Sequence, residues 1–184
     1  MKILPVVFPI FAIATLFSPQ TARAQDSRRI PPLGVDFGAF FPTSSRTKAV
    51  FGSSWTGIGP GIGGVTVGKK RISPDIGFTN EKNNGNRAFA ALVGAKYLFP
   101  IGAPFEKGAA PSFAPYAGVG LGLAYAKIDA PVVGVDDKGF GASASAMLGA
   151  SFGERFFVEA RYTALTETAD FNLSGAGLGV GVRF

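Results

Sequence analysis

Asp36, Asp75, Lys96, Glu159, Arg161 and Arg183 are the residues of this 184-residue chain best placed to do chemistry. Read two positions at a time, the segments around them put each on the face opposite a row of apolar side chains. Acids and bases gathered on one enclosed face can pair as an internal salt-bridge network, because unpaired charges in a tight interior are costly. They can also line a path for protons or ions. Structural pairing is the expectation, and the pathway is the sharper alternative.

Other chemistries are limited by what the chain lacks. It contains no histidine and no cysteine, which excludes serine–histidine and cysteine–histidine catalysis, disulfides and thiolate metal sites. Asp136 and Asp137 are adjacent, and adjacent side chains in extended backbone diverge, so they form no acid–base dyad. Gly118, Gly120 and Gly122, like the glycines from Gly175 to Gly181, offer GxG spacings. They recur with period two and open no helix, so they are not phosphate loops. The stretch NEKNNGN, Asn80 to Asn86, lacks the alternating carboxylates of a calcium loop and contains Lys82, which leaves a turn. No catalytic, cofactor-binding or metal-binding residue is assigned, and no enzyme is expected.

The elements that must position the charges are strands. The clearest signal is the final stretch NLSGAGLGVGVRF, Asn172 to Phe184, where Ala176, Leu178, Val180, Val182 and Phe184 alternate with glycines and Arg183. Leu33 to Phe41 sets Asp36 beside Gly34, Gly38 and Phe40, opposite Val35, Phe37 and Ala39. Arg71 to Thr79 sets Asp75 opposite Ile72, Ile76 and Phe78, and Arg87 to Phe99 sets Lys96 opposite Phe89, Val93 and Tyr97. Alternation continues from Pro115 to Ala126 and from Gly139 to Phe152, and Phe156 to Thr166 places Glu159 and Arg161 beside Phe157 and Thr163.

A further strand is expected over about Ile58 to Val67, with Gly68 to Lys70 as its turn, although Pro60 and Pro74 suit strand starts, edges or bulges better than ladders. Between the strands lie Pro42 to Thr56, which carries Trp55 and room for a helical turn at Thr47 to Phe51, then Asn80 to Asn86, Pro100 to Pro111, Asp129 to Lys138, Gly153 to Arg155, and Glu167 to Asp170.

Ahead of all this, Met1 to Ala24 has a basic start at Lys2, an apolar run from Ile3 to Phe17 and the small-residue tripeptide Ala22-Arg23-Ala24, the pattern of a secretory signal peptide. The expected organisation is therefore a signal peptide over residues 1–24 and a single domain over 25–184. Losing Lys2 and Arg23 lowers the formal net charge from +6 to +4. What remains is scattered, apart from Lys69-Lys70-Arg71, so no nucleic-acid partner is expected.

Eight strands over some 160 residues leave about 20 residues for each strand with its connection. That suits strands of about ten residues crossing a membrane at a tilt. A soluble lipocalin-like barrel carrying an internal ligand would alternate too, but the faces argue against it. Here the less apolar face is glycine, alanine and serine with a few charges, a poor skin against water and a good filling for a narrow lumen. The apolar face places Tyr97, Phe99, Tyr125, Phe140, Phe152, Phe156 and Phe184 near strand ends, as interfacial girdles require. Within hydrocarbon every backbone group must be paired inside the protein, so the sheet has to close. The expected fold is all-β, an eight-stranded antiparallel transmembrane barrel wound up and down, with both chain ends on the periplasmic side.

PYAGVGLGLAY (Pro115 to Tyr125), the hairpin FGERFFVEARYTAL (Phe152 to Leu165) and the ending GLGVGVRF resemble the OmpA-like family of small bacterial outer-membrane β-barrels. The resemblance implies residence in the outer membrane, short periplasmic turns, longer outer loops, and outer-membrane lipid and the barrel-assembly machinery as partners. It also makes Leu178, Val180, Val182 and Phe184 the C-terminal assembly signal. The function so implied is structural or surface-interacting, with the barrel as anchor and the loops open to an unidentified extracellular ligand. A narrow channel for ions or small solutes is the alternative.

Overall fold

The computed structural model describes residues 34–60, 71–102, 113–153 and 155–183. The period-2 segments form eight strands: β1 (Gly34–Pro42), β2 (Trp55–Pro60), β3 (Arg71–Asn83), β4 (Asn86–Pro100), β5 (Phe113–Ala130), β6 (Val135–Phe152), β7 (Phe156–Leu165) and β8 (Gly175–Arg183). Each is antiparallel to the next, and β1 pairs with β8 from Gly34↔Arg183 to Pro42↔Gly175, so the sheet closes on itself without an edge. Both described chain ends therefore lie at one end of the barrel, the terminal end. The other is the far end, where a helix, α1 (Ser45–Phe51), sits between β1 and β2.

Closure turns the two faces of every strand into a wall and a lumen, and here the usual order is inverted. Leu121, Phe140 and Ile72 on the wall are 75 %, 85 % and 76 % exposed, whereas Asp75 and Lys96 in the lumen are 4 % and 7 % exposed. Leaving about twenty large apolar side chains half in water forgoes roughly 1 kcal/mol each. That exceeds the ~5–15 kcal/mol that holds a typical domain together, so the wall requires an apolar solvent. Its height fits a bilayer. Phe140 and Phe152 lie 12 positions apart on β6, about 40 Å of strand at roughly 3.3 Å per residue and about 28 Å along the barrel axis at a tilt of roughly 45°. No helix among the described residues is long and apolar enough to cross a membrane.

Glycine on the lumen face makes room for neighbouring side chains. A Cβ at Gly149 would strike the ring of Tyr116, and one at Gly181 would strike that of Phe157. Gly94 and Gly122, paired across β4 and β5, bring two backbones so close that a Cβ on either would collide with the other strand.

Several connections differ from what the sequence alone predicts. The polar stretch 80–86 narrows to a two-residue turn, Asn84 and Gly85, both with positive φ (48° and 84°), because the type I′ twist lets β3 and β4 stay paired up to Asn83↔Asn86. Residues 129–138 are not one loop. β5 and β6 are 18 residues each and stay paired up to Ala130↔Val135, because Ile128 and Ala130 keep an inward face to bury while Asp129, between them, lies on the outward face. Trp55 belongs to β2 rather than to the preceding connection. β8 begins at Gly175, not at residue 172, because the Ser174 hydroxyl takes over the pairing with the Leu165 backbone, accepting from its N–H at 2.9 Å and donating to its carbonyl at 3.3 Å. The expected turn at 68–70 and most of the connection 100–111 lie outside the described residues, as do the signal-peptide segment and Phe184.

Candidate functional site

The lumen is built in layers. In its middle, Arg161 on β7 donates through Nη1 to Asp75 Oδ1 on β3 at 2.8 Å, and through Nη2 and Nε to Glu159 Oε1 at 2.9 and 3.1 Å. Glu159 Oε2 accepts from the Tyr116 hydroxyl of β5 at 3.0 Å, and Asp75 Oδ2 accepts a long bond from Ser145 of β6 at 3.4 Å. Arg161 is thus a planar fork holding two carboxylates that arrive from strands on different sides of the barrel, a geometry that a guanidinium supplies and an ammonium does not. The pairs are shielded from solvent, with side-chain exposures of 17 %, 5 % and 9 % for Arg161, Asp75 and Glu159. An alternation of two places Glu159 and Arg161 on the same face, and the register across β4 to β6 lets Asp75 reach them through the lumen.

Three of the six residues singled out in the sequence meet here. Asp36 is close by but separate: its carboxylate accepts from the backbone N–H of Gly59 on β2, where any side chain would fill the space it occupies. Lys96 is buried on β4 and makes no ion pair among the described residues. Arg183 is placed in β8, but its side chain lies outside what is described, as does Phe184. Leu178, Val180 and Val182 stand in a row on the lipid-facing wall of β8, opposite Ala39, Phe37 and Val35 of β1.

Toward the terminal end, Leu98, Tyr116 and Met147 form a small apolar cluster under the charges. Toward the far end a larger one closes the lumen. Phe51 of α1, Trp55 of β2, and Phe171 and Leu173 from the connection between β7 and β8 are each at most 2 % exposed, and they pack onto Phe40, Ala88, Ala90, Ala126 and Ile128 of the strands. The rings of Phe51 and Phe171 meet edge-on at 5.2 Å, and those of Phe51 and Trp55 at 6.2 Å.

Polar contacts hold this plug in register. Ser44 caps α1 by accepting from the Thr47 N–H at 3.3 Å, Thr47 Oγ1 donates to the Asn172 carbonyl at 2.8 Å, and Asn86 Nδ2 donates to the Val50 carbonyl at 3.2 Å. Trp55 Nε1 donates to the Gly52 carbonyl at 3.1 Å, and the Arg46 guanidinium lies 4.9 Å over the Phe171 ring. Phe171 is delivered by a two-residue turn in which Ala169 and Asp170 both have positive φ (50° and 62°). Side chains seldom adopt that conformation, and here the buried ring and the bonds between Thr168 and Phe171 at 2.9 and 3.1 Å hold it.

The sequence carries a signal for Tyr116, an aromatic in phase with the glycines of β5, and none that gathers the plug, whose residues come from two connections without a period and from the start of β2. No group of three or more His, Cys, Asp or Glu residues among the described residues is placed to hold a metal. Charges fixed in ion pairs, with apolar layers above and below, can brace a barrel.

An inverted, closed, eight-stranded antiparallel barrel with aromatic rows some 28 Å apart is a membrane-spanning barrel of the small outer-membrane class. Residues 10–184 match the outer membrane protein beta-barrel domain, and the chain belongs to that family. Among solved structures it is similar to neisserial surface protein A (NspA), with 18 % identity over 83 % of this chain and 95 % of that one, at a TM-score of 0.49. It is also similar to the N-terminal β-barrel domain of Pseudomonas aeruginosa OprF, with 20 % identity over 82 % of this chain and 97 % of that one, at a TM-score of 0.45. No curated protein matches the chain.

Proposed function

We propose that this protein is an outer-membrane anchor with a structural or surface-interacting role, in which the barrel is a plugged post and the far end faces outward. The plug of Phe51, Trp55, Phe171 and Leu173 carries the reading, because a pore would need that end of the lumen open and wet. An anchor instead gains from apolar layers that stiffen the sheet, and its loops can then do the recognising. The terminal end faces the periplasm, and Leu178, Val180, Val182 and Phe184 serve as the assembly signal. No reaction is assigned to the protein. A soluble ligand carrier is disfavoured by the exposed apolar wall, and a narrow channel by the plug.

The absence of native cysteine makes orientation simple to test. Asp137→Cys, on the far-end hairpin, is expected to react with a membrane-impermeant maleimide on intact cells. Arg155→Cys, at the terminal-end turn, is expected to react only after the outer membrane is opened. The reverse pattern, or equal labelling of both on intact cells, would refute the orientation.

A further inference from the structure

Just beyond the far aromatic row, on the outward wall, four basic residues occupy four adjacent strands: Lys82 on β3, Arg87 on β4, Lys127 on β5 and Lys138 on β6. All four are exposed. Lys82 stands directly opposite Arg87, and Lys127 directly opposite Lys138. Like charges so placed weaken a sheet, and none of the four is in an ion pair among the described residues. Asp129 and Asp136 stand on the same wall one step further out, opposite each other, with Asp129 also opposite Arg87. On the other half of the wall the last outward residues of the strands at this end, Phe41, Thr56, Ala164 and Ala176 on β1, β2, β7 and β8, are uncharged and lie lower than the patch. The basic residues carried on strands at this end are therefore gathered on β3 to β6.

What lies beneath the patch identifies the occupant. Phe78, Phe89, Tyr125 and Phe140 form an unbroken ring row across the same four strands, with centroids 6.4, 6.5 and 5.1 Å apart. Below the row, Val93, Leu121 and Leu123 are exposed. The bases thus sit at the depth where lipid phosphates join acyl chains. Four strands at about 4.8 Å spacing put them within a span of roughly 15 Å. A soluble anion would have no use for the aromatic and aliphatic wall, whereas a lipid uses both at once.

We propose that this patch binds an anionic lipid carrying two phosphate groups, the phosphates on Lys82, Arg87, Lys127 and Lys138 and the acyl chains on the wall below. Long basic side chains pack their stems on the aromatics and hold their charges at the headgroups. Phosphate contacts also relieve the like-charge pairs that the sheet otherwise tolerates. The inference rests on the membrane reading above.

The test is electron spin resonance of spin-labelled cardiolipin, a two-phosphate lipid, against spin-labelled phosphatidylcholine, with the protein folded into phosphatidylcholine vesicles. Wild type is expected to immobilise cardiolipin preferentially. The variant Lys82→Gln/Arg87→Gln/Lys127→Gln/Lys138→Gln is expected to lose that preference by about tenfold or more. Lys48→Gln/Arg155→Gln, which removes two charges elsewhere, is expected to keep it. Cold and boiled SDS-gel mobility shows that each variant is folded. Equal preference in wild type and the quadruple variant, no preference in wild type, or displacement of the lipid by equimolar inorganic pyrophosphate would each overturn the proposal, the last by revealing a site for free phosphate. Failure of wild type to enter vesicles would refute the membrane reading itself, whereas insertion without selectivity would refute only the lipid site.

Discussion

The far end of the lumen is filled by aromatics carried in on a helix and a loop, whereas its middle is held by charges that the strands themselves carry. The difference follows from the inner faces. At the far end the strands offer Ala88, Ala90, Ala126 and Ala130, small side chains that leave a void, and the void is closed by Phe51, Trp55, Phe171 and Leu173 from connections and from the start of β2. In the middle, Glu159, Arg161 and Asp75 reach across the lumen, with Gly120 leaving space beside the Asp75 carboxylate. One layer is apolar and depends on the fit of added parts. The other is polar and depends on having all its members.

Substitutions at Arg161, Trp55 and Tyr116 separate the two layers. Arg161→Met is expected to have the largest effect, about 4 kcal/mol of lost stability, since it strands two buried carboxylates without their cation. Adding Asp75→Asn and Glu159→Gln to it is expected to restore much of the loss, and urea unfolding from vesicles reads both. If the triple variant is as unstable as the single one, the cost lies in packing and the polar layer is no different in kind from the plug. Trp55→Ala is expected to cost about 3 kcal/mol by the same measurement, as a large ring leaves a cavity that its neighbours fill only in part. That loss would not be recovered by neutralising any charge. Tyr116→Phe is expected to cost least, about 1.5 kcal/mol, because it removes one bond to a charged acceptor and keeps the ring.

Much of the middle layer is legible in the sequence. A period of two gives the faces, and the faces give Asp36, Asp75, Lys96, Glu159 and Arg161 a common lumen. Which of them touch is not legible, because the reach of Arg161 to Asp75 depends on strand stagger around the closed barrel, and Asp36 turns instead to the backbone of Gly59. The far end is less legible still. Composition marks 80–86 and 129–138 as turns because they are polar, yet polar side chains outside the bilayer can continue a strand as long as the alternate positions, such as Ile128, have something to bury against. That something is the plug, and Phe51 and Phe171 are held in it by contacts 120 positions apart in the chain.

Single-channel recording in planar bilayers tests the central claim, that this is an outer-membrane barrel with a closed lumen, most directly. The protein inserted from detergent is expected to give no resolved conductance steps, because the plug and the Arg161 layer close the lumen in series. Steady unitary steps from the wild-type protein would contradict the account and move the function to a channel.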